Sequence, residues 1–155
     1  YETPFKKATD ANDAKADYFV SIHRNSSPTP NQYTGVETLV YNNSGIKSQM
    51  AANINSELEK AGFKNLGITE RPNLVVLKRT KMPAVRVEAS FINNDKDNET
   101  FDKNFNQIAN GIADGILKTL GIKPKTNNTT AQAASGEVPS VKSDSAKSTE
   151  IMPAA

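Results

Sequence analysis

The sequence predicts an α/β fold: a twisted, mostly parallel sheet with helices on both faces. Short runs of aromatic and β-branched residues alternate with stretches whose apolar residues recur at helical spacing, a pattern typical of such sheets. A chain of 155 residues is long enough to bury a core without disulfides, and it contains no cysteine. Hydrophobic residues make up 36% of the chain and become scarce after Ile122. We therefore expect residues 1–122 to form the folded domain.

The first half of the chain predicts two helices and two strands. Residues 3–15 carry helix formers with few large apolar side chains, which indicates a partly exposed helix. Residues 18–23 form a nearly continuous apolar run, which is typical of a strand covered on both faces. Prolines and serines mark a loop over residues 25–33, and residues 35–41 resume as a strand. Residues 48–61 place apolar side chains at helical spacing and stop before a glycine, a common C-terminal helix signal.

The second half predicts two further strands and one long helix. Pro72 and Pro83 each precede a short apolar run, at residues 74–77 and 84–90, and we interpret both runs as strands. Apolar residues then recur at helical spacing along one face of a C-terminal helix that ends at Gly121. These residues are Phe101, Phe105, Ile108, Ile112, Ile116 and Leu120.

Residues 123–155 differ in composition from the rest of the chain. They are rich in alanine, serine, threonine, asparagine, lysine and proline and show no hydrophobic periodicity. Such a segment buries too little apolar surface to offset the entropy lost on ordering. We therefore predict a disordered linker or tail.

Charge and composition exclude several classes of protein. The formal net charge is only +2 and the basic residues are dispersed, so we expect no nucleic-acid partner. No apolar run approaches the roughly 20 residues that a membrane span requires. The lack of cysteine restricts any metal site to nitrogen and oxygen ligands. Because Tyr1 is not an initiator methionine, we expect a processed or truncated product, and we expect a monomer.

Two side chains that could carry chemistry lie at the carboxyl ends of predicted strands. His23, the only histidine, ends the strand at residues 18–23, and Glu88 lies near the end of the strand at residues 84–90. Open α/β sheets gather ligands and catalytic groups at such ends. Neutral imidazole suits zinc and a carboxylate can move protons, so the pair indicates a zinc hydrolase. Purely structural roles remain open: a half-buried histidine bonded to the backbone, and an ion pair between Glu88 and Arg86 or a lysine.

Four segments occur in an order and spacing that resemble one family. They are residues 14–23 (AKADYFVSIH), 35–38 (GVET), 71–77 (RPNLVVL) and 82–94 (MPAVRVEASFINN). Over residues 1–122 the chain resembles the C-terminal part of the catalytic domain of the bacterial zinc-dependent N-acetylmuramoyl-L-alanine amidases. The resemblance implies a secreted hydrolase that cleaves the amide bond between N-acetylmuramic acid and L-alanine in the peptidoglycan of the cell wall.

The same resemblance implies roles for individual residues. His23 matches a zinc ligand of the family, and Glu88 matches the general base that takes a proton from zinc-bound water and then delivers it to the departing amine. Glu37 is either an additional oxygen ligand or, as the simpler interpretation, a surface residue of its strand. Leu77 and the region of Asn73 would line the groove that holds the peptide stem.

The chain departs from the family at three positions. Arg86 lies on the same strand face as Glu88, where the family is usually apolar, and a cation so close would lower the pKa of Glu88. Ser90 replaces a usual glycine and Asn93 replaces a small residue.

The family's two other zinc ligands are a histidine in a His-Gly-Gly segment on the first strand and a glutamate on the following helix. Both precede anything that corresponds to Tyr1, so the resemblance implies a domain that lacks this N-terminal strand and helix. An alternative is a catalytically inactive cell-wall-binding or scaffold domain that retains the fold. A third hypothesis is an unrelated α/β binding module with a chance histidine.

Overall fold

The structure, a computed structural model, describes residues 2–123. The helices are α1 (Pro4–Asp13), α2 (Gly45–Lys60), α3 (Val75–Arg79), α4 (Asp95–Lys103) and α5 (Phe105–Thr119). The strands are β1 (Phe19–Asn25), β2 (Val36–Val40), β3 (Asn65–Glu70) and β4 (Ala84–Phe91). Their order along the chain is α1-β1-β2-α2-β3-α3-β4-α4-α5. The predicted disordered tail, residues 123–155, lies outside the described residues except for Lys123.

The four strands form one sheet in the order β1-β4-β2-β3. β1 runs parallel to β4 and β2 parallel to β3, whereas β2 and β4 are antiparallel. The prediction of a mostly parallel sheet is therefore confirmed. The expectation that β1 is covered on both faces is wrong, because β1 is an edge strand and Ile22 is 58% exposed. An apolar run alone does not distinguish an edge strand from a central one.

Helices cover both faces of the sheet, as predicted. α2 and α5 lie on one face, over a core that includes Val36, Val40, Met50, Ile54, Leu58, Val85, Val87, Ala89, Ile108 and Ile112. α1 and α3 lie on the opposite face, where a smaller cluster joins Leu39, Val76, Leu77 and Ala84. None of the helices within residues 2–123 is long and apolar enough to cross a lipid bilayer.

Three predictions about individual elements are wrong. Residues 74–77 belong to α3 and not to a strand, since four apolar residues fit either structure when no period can be read. β3 escaped prediction because it is a half-exposed edge strand interrupted by Gly67. The predicted C-terminal helix is two helices that meet at Asn104, whose side-chain amide donates to the carbonyl oxygen of Ala61, the residue that follows α2.

The two helices that cover the larger core touch at a glycine. A Cβ atom added to Gly115 of α5 would lie 2.6 Å from the Cα atom of Ile54 on α2. We expect Gly115→Ala to lower the free energy of unfolding by about 1–3 kcal/mol, because the helices must move apart. Gly111→Ala is the matched control, since its Cβ would meet the Glu57 side chain at 3.3 Å. Urea denaturation measures both variants, and equal stabilities would contradict this close approach.

Candidate active site

Three side chains form a row across the sheet on the face that carries α1 and α3. His23 of β1 pairs in register with Glu88 of β4, and Glu88 pairs in register with Glu37 of β2. Residues that pair across neighbouring strands project from the same face. The structure therefore brings His23 and Glu88 together, and it adds Glu37 on the far side of Glu88.

His23 is half-buried in this row. Its Nε2 atom lies 2.6 Å from the hydroxyl of Ser21, the only hydrogen bond of the ring within residues 2–123. Burial lowers the pKa of His23, and the nearby positive charges of Arg86 and Lys7 lower it further. The imidazole is thus neutral at neutral pH, the form in which it can bind a metal.

Glu88 is only 3% exposed and makes one ion pair. Nε of Arg86 donates to Oε1 at 2.6 Å, while Oε2 is buried without a hydrogen-bond partner among the described residues. Burial raises the pKa of Glu88, Arg86 opposes the rise, and the charge of Glu37 adds to it. Arg86 acts to lower this pKa, as expected, but burial outweighs the ion pair and the pKa of Glu88 is raised. A carboxyl group with a raised pKa is suited to exchange protons near neutral pH.

Glu37 is half-buried beside Glu88 and does not lie on an open surface. It accepts hydrogen bonds from Nδ2 of Asn25 at 2.8 Å and from Oγ1 of Thr69 at 2.7 Å. Sequence reasoning gave this residue little weight because the pairing of β2 with β4 could not be read from the chain. Its only signal was an acidic side chain within an otherwise apolar strand.

The end of β4 is held in an unusual backbone conformation. Ser90 has φ of 107°, a region that favours glycine, and it is completely buried. Its hydroxyl accepts a hydrogen bond from Nε of Arg24 at 2.9 Å, and the Arg24 guanidinium also lies 4.3 Å from the ring centre of Phe101. Ser90 and Arg24 thus fix the relative position of the ends of β1 and β4.

Asn93 fixes the loop that follows β1. Its side-chain carbonyl accepts from the backbone N–H of Ser27 at 3.0 Å, and its amide donates to the Ser27 carbonyl at 2.7 Å. A small residue at position 93 could make neither bond. This departure from the family therefore has a structural role beside the site.

Asp97 is a buried carboxylate that sequence reasoning missed. It accepts hydrogen bonds from the backbone N–H groups of Gly35 at 3.0 Å and Phe91 at 2.8 Å, and from the Thr34 hydroxyl at 2.5 Å. It thereby joins the start of β2, the end of β4 and the first turn of α4. Its one sequence signal is its place three residues after Asn94, the residue that caps α4.

A groove of about 390 Å³ opens beside His23 on the same face of the sheet. Its walls come from the start of α1, from β1 and β4, and from the residues that precede α3. Asn73 lines this groove, whereas Leu77 is buried in the smaller core cluster; that they line a peptide-stem groove stays a prediction. Among charged residues, the lining holds Lys7, Arg86 and Glu2.

The described residues provide only part of a zinc site. Within residues 2–123, no three histidine or acidic side chains lie close enough together to hold a metal ion. A catalytic zinc normally takes three protein ligands and keeps one position open. The described residues therefore supply one imidazole, at His23, and one buried carboxyl group, at Glu88, and they do not fit a complete zinc site.

Comparison with known proteins identifies relatives of this chain. The endolysin of Bacillus phage SPP1 is 35% identical over 126 residues, which are 77% of this chain and 46% of that protein. N-acetylmuramoyl-L-alanine amidase CwlM of Bacillus licheniformis is 32% identical over 116 residues, which are 72% of this chain and 44% of that protein. The chain therefore spans about half the length of these two relatives.

Solved structures show the same fold. The catalytic domain of CwlV, an N-acetylmuramoyl-L-alanine amidase from Bacillus (Paenibacillus) polymyxa, is 33% identical with a TM-score of 0.69; the match covers 79% of this chain and 68% of that one. An N-acetylmuramoyl-L-alanine amidase from Clostridium difficile is 32% identical with a TM-score of 0.71 and coverages of 80% and 68%. The hypothesis of an unrelated binding module is therefore wrong. Residues 2–118 match the family model described as N-acetylmuramoyl-L-alanine amidase, and the chain belongs to that family.

Proposed function

We propose that the protein containing these residues hydrolyses the amide bond between N-acetylmuramic acid and L-alanine in bacterial peptidoglycan. The observation that carries the proposal is the register pairing of His23 with Glu88 at the carboxyl ends of β1 and β4. The two solved structures described above are both named as N-acetylmuramoyl-L-alanine amidases. Incubation of the full-length protein with purified peptidoglycan tests it, because cleavage exposes new L-alanine amino groups that can be labelled and counted.

In this proposal His23 is a zinc ligand and Glu88 carries the proton. Zinc held by His23 together with ligands from outside the described residues would polarise the scissile carbonyl and activate water. Glu88 would take a proton from the attacking water and return it to the alanine nitrogen as the C–N bond breaks. The Arg86 ion pair holds Oε1 of this carboxyl group in place. The products are a free carboxylate on the muramic acid and a free amine on the peptide.

A complete zinc site requires ligands from outside the described residues. β1 lies at the edge of the sheet, and an apolar groove beside it includes the exposed side chains of Ile22 and Phe105. An unpaired edge strand next to an apolar groove is a surface that a further strand and helix can cover. We infer that the remaining ligands come from such a unit. Because its substrate is the cell wall, the protein would act outside the cytoplasm as a secreted enzyme.

The second candidate function is a catalytically inactive cell-wall-binding or scaffold domain. The observation in its favour is the Arg86–Glu88 ion pair, which occupies one oxygen of the proposed proton carrier. An inactive domain needs neither a zinc ligand nor a mobile proton. Metal content therefore separates the two functions.

Zinc content after dialysis should depend on His23 and on the length of the protein tested. We expect residues 1–155 alone to retain less than one zinc ion per chain, because one imidazole cannot hold the metal tightly. We expect the full-length protein to retain one zinc ion, and His23→Asn to lose it. Elemental analysis by mass spectrometry gives these ratios. Zinc-free full-length protein would favour the inactive domain, and zinc retained in His23→Asn would contradict the ligand role.

A further inference from the structure

His23 and Glu88 are each hydrogen-bonded within their own strand and not to each other. Ser21 and His23 lie two residues apart on one face of β1, and Oγ of Ser21 lies 2.6 Å from Nε2 of His23. Arg86 and Glu88 lie two residues apart on β4, and Nε of Arg86 donates to Oε1 of Glu88 at 2.6 Å. Ser21 pairs in register with Arg86, and His23 pairs with Glu88. The four side chains therefore form two bonded pairs on neighbouring strands.

This arrangement leaves one atom of each functional side chain without a partner. Within residues 2–123, His23 makes no hydrogen bond through Nδ1, and Oε2 of Glu88 is buried without a hydrogen bond. Neighbouring strands lie about 4.8 Å apart, so an imidazole turned away from Ser21 could donate to the carboxylate beside it. Such a bond would occupy both groups. Ser21 thus competes with Glu88 for the ring of His23.

The surroundings of the ring favour one of the two neutral forms of His23. A neutral imidazole carries its single N–H on either Nδ1 or Nε2. Lys7 and Arg86, the cations near the ring, have donors and no acceptor, so an N–H on Nδ1 would find no partner in them. An N–H on Nε2 has the oxygen of Ser21 as its acceptor. The hydrogen bonding of the described residues therefore favours the form with the proton on Nε2.

We propose that Ser21 is a positioning residue of the site: its hydroxyl oxygen accepts the Nε2–H of His23 and leaves Nδ1 as the nitrogen that can bind a ligand. Ser21 acts through the imidazole and need not touch the substrate. The contribution of Ser21 to hydrolysis rests on the proposed function, whereas its effect on the ring of His23 does not. A serine that only filled space could be replaced by alanine without moving the proton of the ring.

The position of the imidazole proton tests the proposal directly. In full-length protein with isotope-labelled histidine, NMR correlation of the ring nitrogens identifies His23 by the signals that His23→Asn lacks, and a chelator keeps metal from selecting one nitrogen. In the wild-type protein at neutral pH we expect the proton on Nε2. Ser21→Ala should lower the ratio of this form to the other about 2- to 10-fold, the range that one hydrogen bond gives. Ser21→Thr, which keeps a hydroxyl, should restore the wild-type ratio.

Hydrolysis of peptidoglycan by the same full-length variants provides the second measurement. Ser21→Ala should lower kcat about 2- to 10-fold with little change in KM, because the ring is correctly placed in a smaller fraction of the molecules. Ser21→Thr should recover most of this loss. Ser26→Ala is the matched control, because Ser26 is exposed just beyond the end of β1. It should change neither kcat nor the form of the ring.

The two measurements separate this inference from the proposed function. A wild-type protein that cleaves no peptidoglycan would contradict the proposed function alone, because NMR still reports the form of the His23 ring. A wild-type proton on Nδ1, or a Ser21→Ala protein with the wild-type ratio of the two forms, would overturn the role of Ser21. Failure of Ser21→Thr to restore that ratio, or an unchanged kcat in Ser21→Ala, would overturn it as well.

Discussion

Replacing Glu88 by glutamine should lower the rate of muramoyl-L-alanine hydrolysis by about 10²- to 10⁴-fold, the usual contribution of a positioned general acid or base. Glutamine has nearly the same shape as glutamate, and its side-chain oxygen can still accept the hydrogen bond from Nε of Arg86. It cannot carry a proton between water and the leaving amine. The substitution therefore removes the chemistry and retains the packing.

The assay compares the release of alanine amino groups from peptidoglycan by wild-type and variant full-length protein. Glu59→Gln on the exposed side of α2 is the control, since it makes the same chemical change away from the sheet. Thermal unfolding of both variants checks that the fold survives. Full activity in a folded Glu88→Gln protein would show that the proton carrier lies elsewhere.

Replacing Asp97 by alanine should lower the free energy of unfolding by about 3–5 kcal/mol. This carboxylate accepts hydrogen bonds from three donors. Two of them are buried backbone N–H groups, which cannot bond to water instead. Each buried donor left without an acceptor costs about 1–3 kcal/mol. The loss should exceed that of Gly115→Ala, because the loops that join β2, β4 and α4 would lose their common anchor.

Urea denaturation followed by circular dichroism measures this loss. Asp95→Ala is the matched control: Asp95 lies in the same first turn of α4, but it is exposed, and its carboxylate accepts one hydrogen bond within residues 2–123, from the side chain of Asn31. We expect that control to change stability by less than about 1 kcal/mol. Equal losses in the two variants would mean that the buried carboxylate is not an anchor.

The sequence predicted the elements whose pattern is long or repeated. α2 and β4 were located because sixteen and eight residues, respectively, give enough positions to read a helical period or a continuous apolar run. α3 was not located, because its short apolar run fits a strand as well as a helix, and β3 was not located, because it is a half-exposed edge strand interrupted by Gly67. The sequence did not reveal the break at Asn104, because apolar residues recur at helical spacing through both helices.

The site could be predicted only in part for a similar reason. Strand alternation gave the shared face of Arg86 and Glu88, and the structure confirms their contact. The direction in which the pKa of Glu88 shifts depends on burial by surrounding elements, which no local pattern reports. Glu37 and Asp97 depend on contacts between segments far apart in the chain, so their environment emerges only when the sheet is assembled.

The positive φ of Ser90 has an evolutionary consequence. Glycine would relax the backbone at this position but would deprive Arg24 of one acceptor, whereas serine keeps the acceptor and accepts the conformational penalty. Substitutions at positions 24 and 90 are therefore not independent in their effect on fitness. In descendants of this sequence, we expect the residues at positions 24 and 90 to change together, so that the two side chains remain compatible.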